Sequence, residues 1–238
     1  MIRTLAILGY HKIGLWPGDW KSWYYVSDET FAGHLRTLSE EDWHFLDIST
    51  FLRGLDEPDS LPERSALVTF DDGYRSLLKH GLPTLRQFDC PAVLFVPTDY
   101  VSGTNAFDRD EEPEEVICSF EDLRHLQRQG VSIQAHSVTH RAFSDLGSGE
   151  LEQEVCWSKE VLEEGVAEPV ELFAFPYGDG GKEPRQVTSL LSRAGFKAAC
   201  LYGGGLQSVP AENRFRLARI AMGPDTDLAR ELSGVAAS

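Results

Sequence analysis

The sequence predicts an α/β fold built on a mainly parallel sheet, either closed as a barrel or open and doubly wound. Three observations predict it. Six short apolar runs rich in β-branched and aromatic residues recur along the chain. Amphipathic helical patterns fill the intervals between them, the alternation that places parallel strands between crossover helices. The runs are continuously apolar instead of alternating, as strands covered on both faces are.

In order, the first run is TLAIL at 4–8, leading to Gly9, Tyr10 and His11. A secretory leader needs roughly 7–15 apolar residues and a small-residue cleavage site. This run holds only Leu5 to Leu8, and Lys12 follows closely, so it reads as a strand and the chain as cytoplasmic. Residues 28–38 place Phe31, Leu35 and Leu38 on one helical face. The run 66–70 is the next strand. Residues 75–88 carry Leu77, Leu78, Leu82, Leu85 and Phe88 as a helix that Pro83 should perturb. A strand follows at 92–97. The stretch DRDEEPEE at 108–115 reads as an exposed excursion, with a lid as the alternative. Ser119 and Asp122 form a capping-box pattern opening a helix over 120–129, which Gly130 ends. The remaining strands are 131–135, 170–175 and 197–201. Between them lie helices over 149–164, with Leu151, Val155 and Leu162 on one face, and over 184–194, opened by Pro184 and stopped by Gly195. A short helix over 227–232 closes the pattern.

The 238 residues read as one domain spanning 1–238, a length that α/β barrels often fill as a single unit. With 38 acidic against 22 basic side chains, the net charge of −16 repels nucleic acid and anionic membrane surfaces. No stretch approaches the ~18 apolar residues of a membrane span. Cys90, Cys118, Cys156 and Cys200 form no CxxC and read as free thiols.

Three strand ends carry candidate chemistry. TFDDG at 69–73 sets two adjacent carboxylates after an apolar run. In a regular strand Asp71 and Asp72 would face opposite sides, but a turn permitted by Gly73 lets both reach one cleft. The plain alternative is a solvated turn with an aspartate N-cap. HSVTH at 136–140 follows the run 131–135, and histidines four apart share one face of a helical turn. Two surface histidines are the plain alternative. Asp72, His136 and His140 together form the two-histidine, one-carboxylate set of an open catalytic metal site. FAFPYG at 173–178 is a third strand end, where the Tyr177 backbone N–H can face the cleft, or where Pro and Gly merely terminate the strand.

TFDDG, HSVTH and FAFPYG, in that order, resemble the polysaccharide deacetylases of carbohydrate esterase family four, the NodB-homology domains. The resemblance spans roughly residues 4 to 222 and implies a distorted (β/α) barrel with seven strands. Two departures stand out. Phe173 and Ala174 occupy the neighbourhood where the family carries an arginine that pairs with the catalytic aspartate. Residues 215–221, FRLARIA, lack the family's late histidine. Both departures resemble a circularly rearranged subgroup, the poly-N-acetylglucosamine deacetylases, in which the histidine comes from an N-terminal YHxI segment. YHKI at 10–13 matches it, and LARI at 217–220 resembles that subgroup's LPRI segment.

The resemblance implies a divalent metal, zinc first with cobalt or nickel as alternatives, on Asp72, His136 and His140. It implies Asp71 as general base, the Tyr177 N–H as oxyanion donor, His11 as general acid and Arg219 in place of the missing arginine. The residue-level alternative for Arg219 is a solvated side chain or surface ion pair. The implied reaction is removal of N-acetyl groups from an acetylated amino sugar or glycan. A deformylase or other C–N amide hydrolase on a lipid-linked or small non-sugar substrate is the second expectation. A catalytically inactive glycan-binding protein is the third. Trp16, Trp20, Trp23, Tyr24 and Tyr25 cluster after His11 and suit a sugar-stacking platform or a cover for the barrel mouth.

Overall fold

A computed structural model describes residues 2–15 and 22–234. The strands in chain order are β1 (Arg3–Tyr10), β2 (Lys12–Ile13), β3 (Tyr25–Val26), β4 (His44–Phe45), β5 (Arg64–Phe70), β6 (Ala92–Val96), β7 (Val131–Ala135), β8 (Leu172–Ala174), β9 (Ala198–Gly204), β10 (Gln207–Val209) and β11 (Leu217–Ala221). The α-helices are α1 (Asp28–Glu40), α2 (Ile48–Asp56), α3 (Leu82–Gln87), α4 (Phe120–Gln127), α5 (Ser148–Val166), α6 (Pro184–Arg193) and α7 (Leu228–Leu232).

Seven parallel strands close a barrel in the order β1-β5-β6-β7-β8-β9-β11 and back to β1. The first strand makes the closure. It pairs with β5 from Thr4↔Arg64 to Tyr10↔Phe70, and with β11 at Leu8↔Ile220 and Gly9↔Ala221. Two irregularities distort the barrel. β7 and β8 meet at a single register pair, Ala135↔Phe173. The register between β9 and β11 shifts between Leu217 and Arg219.

The period of two along each strand separates two cores. Leu5, Ile7, Leu67, Val93, Phe95, Leu172, Ala174, Ala198, Cys200 and Leu217 fill one cluster inside the barrel. The alternate residues, among them Ala6, Leu8, Val68, Phe70, Leu94, Ile133 and Phe173, pack beneath the helices. α2 supplies Phe51 and Leu52 to the inner cluster and so plugs the barrel floor.

Besides the short strands β2, β3, β4 and β10, two elements escape the apolar-run pattern, α2 and β11. α2 carries β-branched Ile48 and Thr50 and a glycine in nine residues, all weak helix formers. Its start depends on Asp47, whose side chain accepts from the Thr50 N–H at 2.7 Å. β11 hides because Arg219 sits in the middle of its five residues. The perturbation at Pro83 takes a definite form. Residues Leu77–Gly81 make a five-residue π-turn, and Pro83 falls in the first turn of α3, where its missing N–H costs nothing. The Ser119–Asp122 capping box forms as its pattern indicates. All four cysteines are free. Among the described residues, no helix is long and apolar enough to cross a membrane.

Phe173 lies at the centre of an aromatic cluster, with ring centroids 5.3–5.5 Å from Phe143, Phe175 and Phe196. Phe173→Ala should cost about 3–5 kcal/mol. Urea unfolding checks this as a lowered midpoint at unchanged slope.

Candidate active site

The inward-facing positions of β1 end in Gly9 and His11, and those of β5 end in Thr69 and Asp71. This parity sends both chemical side chains to the carboxyl end of the barrel, where parallel α/β folds place their sites. Asp72 would face outward in a continued strand. Its backbone instead turns left-handed, with φ 70°, and Gly73 follows at φ 72°. Two successive left-handed residues return the Asp72 carboxylate to the cavity that Asp71 enters.

The histidine loop reaches the same place by a different route from the helical turn its spacing predicts. Residues 136–140 form an irregular loop, with Ser137 at φ 66° and His140 at φ 57°. Ser137 Oγ accepts from the His140 N–H at 3.1 Å. Glu154 of α5, 5% exposed, accepts from the Val138 and Thr139 N–H groups at 2.7 and 2.9 Å and from the Thr139 hydroxyl at 2.5 Å. These bonds replace the helical ladder and hold the loop.

His136 Nε2 and His140 Nε2 lie 3.3 and 3.1 Å from Asp72 Oδ1. Yet Asp72 Oδ1 accepts no hydrogen bond, and His140 Nδ1 is buried without a partner. The three donor atoms converge on one region instead of aligning donor to acceptor. His136 Nδ1 lies 2.8 Å from the Ala174 carbonyl, so that nitrogen carries the proton and Nε2 presents its lone pair to the cavity. The donor set, its convergence and the fixed tautomer all fit a divalent cation. Burial pushes the Asp72 carboxyl up, and His140, His136 and His11 together more than reverse this, holding it well below the usual carboxylate range.

Arg219 is fully buried, which removes the surface-ion-pair alternative. Its guanidinium donates from Nη1 and Nη2 to the two oxygens of Asp71, both at 2.7 Å. Nη1 also donates to Thr69 Oγ1 at 3.1 Å, and Nε to the Leu201 carbonyl at 2.6 Å. The Phe95 and Tyr202 rings flank it at 5.5 and 5.4 Å. Gly9 makes this packing possible. A Cβ there would sit 3.1 Å from the Tyr202 ring and 3.5 Å from Arg219 Nη1. Burial opposes ionisation of Asp71, but the Arg219 charge and hydrogen bond together with His136 and His11 outweigh it, so its pKa lies below the usual carboxylate value.

His11 stands between the Tyr24 and Tyr202 rings, with centroids 4.6 and 5.1 Å away. Its Nε2 is 4.0 Å from Asp71 Oδ2 and 3.9 Å from Asp72 Oδ2, and its Nδ1 has no partner. Burial lowers the pKa by more than the two aspartates raise it. Tyr177 lines the cavity at φ 57°, its ring 4.8 Å from that of His140 and its hydroxyl 3.4 Å from Asp108 Oδ1. The cavity holds about 160 Å³.

Residues 59–199 match the family described as polysaccharide deacetylase. The chain belongs to the polysaccharide deacetylase family. YxkH of Bacillus subtilis (strain 168), which carries a polysaccharide deacetylase name, is 22% identical over 179 residues, 75% of this chain. The chain spans 58% of that relative's length. The Streptococcus pyogenes deacetylase PplD, solved in complex with acetate, superimposes with a TM-score of 0.83 at 19% identity and covers 100% of both chains. IcaB from Ammonifex degensii gives 0.75 at 23%, covering 94% of this chain and 93% of its own. These likenesses show that the chain shares the fold of those deacetylases.

Within this deacetylase barrel the structure brings together all seven residues singled out from the sequence: His11, Asp71, Asp72, His136, His140, Tyr177 and Arg219. It also adds residues the sequence reading missed. Glu154 had a signal, a carboxylate inside the apolar stripe of α5. Tyr74 and Tyr202 line the cavity without one. Of the aromatic cluster, Trp16 and Trp20 lie outside the described residues. Tyr24 lines the cavity, Tyr25 is buried, and Trp23 donates to Asp225 away from it.

Arg219→Met leaves the Asp71 carboxylate buried without its partner and should destabilise the fold by about 3–5 kcal/mol. Arg219→Lys should recover only part of this, since an ammonium cannot reproduce the two-pronged contact. Urea denaturation of the three proteins checks the order.

Proposed function

We propose that the protein is a metal-dependent hydrolase that removes N-acetyl groups from an acetylated amino sugar or glycan, releasing acetate and a free amine. One observation carries this reading. A convergent Asp72-His136-His140 donor set, an arginine-held Asp71 and a ring-flanked His11 share one cavity at the carboxyl ends of the strands. Membership of the deacetylase family supports it, as does a fold shared with a deacetylase that binds acetate.

Asp72, His136 and His140 would hold the divalent ion, with zinc favoured by the donor types and cobalt or nickel as alternatives. Bound there, the ion supplies Lewis acidity toward the acetamide carbonyl and eases deprotonation of the attacking water. Asp71 takes the water's proton. Arg219 fixes the direction of its lone pairs and keeps it ionised beforehand. The Tyr177 N–H, turned by its left-handed backbone, donates to the developing oxyanion. His11, neutral at rest because burial lowers its pKa, accepts the proton from Asp71 and passes it to the departing nitrogen. The C–N bond breaks as that proton arrives. Asp71 and His11 both return to their starting forms.

Acetate release from N-acetylglucosamine and its oligomers, measured with and without chelator, tests this. Release should cease on chelation and return with added zinc, cobalt or nickel. No acetate from any member of the panel in the presence of metal would sink the proposal, and formylated analogues in the same panel detect a deformylase. His11→Ala should keep about one bound metal per chain while turnover falls on the order of 10²–10⁴-fold. Asp72→Asn should lose the metal itself.

A further inference from the structure

The acidic segment expected to be an exposed connection is a built wall of the cavity. Thr104 bridges Val116 and Tyr74 bridges Ile117 across its base. The buried Asn105 side chain ties its two limbs, donating to the Pro113 carbonyl at 3.1 Å and accepting from the Glu115 N–H at 2.7 Å. The Tyr25 hydroxyl donates to Glu115 Oε1 at 2.5 Å. Lys12, the residue after His11, pins the centre. Its ammonium is 1% exposed, 2.6 Å from Glu112 Oε2, and lies over the Tyr25 and Tyr74 rings at 4.9 and 4.8 Å. Burying a lysine is costly unless its charge is matched, so this contact fixes the wall against the strand that delivers His11.

The wall presents Asp108, Glu111 and Glu112 to the cavity that Asp71 and Asp72 also line. Arg219 matches Asp71, Lys12 matches Glu112, and Asp72 belongs to the convergent donor set, its Oδ1 buried, unpartnered and lining the same cavity. Asp108 and Glu111 form no close ion pair with a cationic side chain among the described residues; Lys12 acts on Asp108 only from a distance. The Asp108 carboxylate accepts from the Tyr177 hydroxyl at 3.4 Å and from no other group among the described residues. Burial, and then the charge of Asp72, push its carboxyl up to about 6, against the smaller opposing pull of His140 and Lys12.

We propose that this pinned wall selects acetamides that carry an ammonium group beside the scissile bond, as an N-acetyl sugar does when its neighbour already bears a free amine, over neutral, fully acetylated ones. The inference rests on the deacetylase function proposed above and names the substrate charge it prefers. Two unmatched carboxylates at the edge of a partly dry cavity attract a cation there, and one such contact supplies up to about tenfold in affinity. Each deacetylation also creates the favoured neighbour.

Two probes test it: a fully N-acetylated glucosamine trisaccharide, and the same trisaccharide with one free amine next to an acetylated residue. The amine-bearing probe should show about tenfold higher kcat/KM at low salt, shrinking as salt screens the contact. In the Asp108→Asn, Glu111→Gln double variant the ratio should fall to about one, through KM more than kcat. A ratio near one in the unsubstituted protein, or a ratio the double variant preserves, overturns the inference. If neither probe yields acetate, the proposed function fails, and calorimetric binding then decides the wall's role. Tighter binding of the amine-bearing probe, lost in the double variant, supports the selection, and equal binding of the two overturns it.

Discussion

The site depends on one buried ion pair. Arg219 reaches across the barrel interior to Asp71, and satisfying its guanidinium there recruits four strands at once. β5 provides Asp71 and Thr69, β9 provides the Leu201 carbonyl and the Tyr202 ring, and β6 places Phe95 on the opposite side. β1 contributes an absence, the missing side chain of Gly9. A charge so deep is tolerable only if every neighbour is in place, so the pair couples the aim of Asp71 to the closure of the barrel. The Thr69 hydroxyl, which meets Arg219, also donates to the Leu8 carbonyl at 2.7 Å and carries the same constraint into β1.

Four of the eight non-glycine residues with left-handed backbone among the described residues lie at the site. Asp72, Ser137, His140 and Tyr177 all hold left-handed backbone that non-glycine residues adopt at a cost of about 1–3 kcal/mol each. Each aims a group at the cavity or shapes the loop that does. Such conformations persist only where surroundings overdetermine them, and the structure supplies the means. Gly73 completes the turn after Asp72, and Glu154 braces the histidine loop from α5. The apolar barrel below, floored by α2, contributes rigidity without chemistry.

Much of this was legible in the sequence because it rests on local signals. Continuous apolar runs mark six of the seven barrel strands, and capping residues mark the helices. The motifs at strand ends mark the ligands, since a parallel sheet gathers strand ends in one place. The parts that were not legible are those in which tertiary structure overrides the local pattern. β11 does not read as a strand because its key residue is charged, and only the barrel interior makes that charge acceptable. The spacing of His136 and His140 fits a helical turn, but the chain uses left-handed residues and a distant glutamate to reach the same convergence. The acidic stretch near residue 110 looks solvated by composition. Its fold depends on Lys12, about a hundred positions away, and on the carboxamide of Asn105. No window of adjacent residues contains the Lys12 contact.

The closure by β1 has a consequence for how the molecule comes into being. Leu8 pairs with Ile220 and Gly9 with Ala221, so the strand carrying His11 waits for a partner from the far end of the chain. Loop-closure entropy and the dominance of distant pairings make that the slow event of folding. During synthesis β1 emerges early and can dock on β5, but its other edge stays open until β11 leaves the ribosome. Through that interval an apolar strand offers unpaired backbone to any passing chain, and Asp71 has no arginine to hold it. Without β11 the barrel stays open along β1 and Asp71 lacks its arginine.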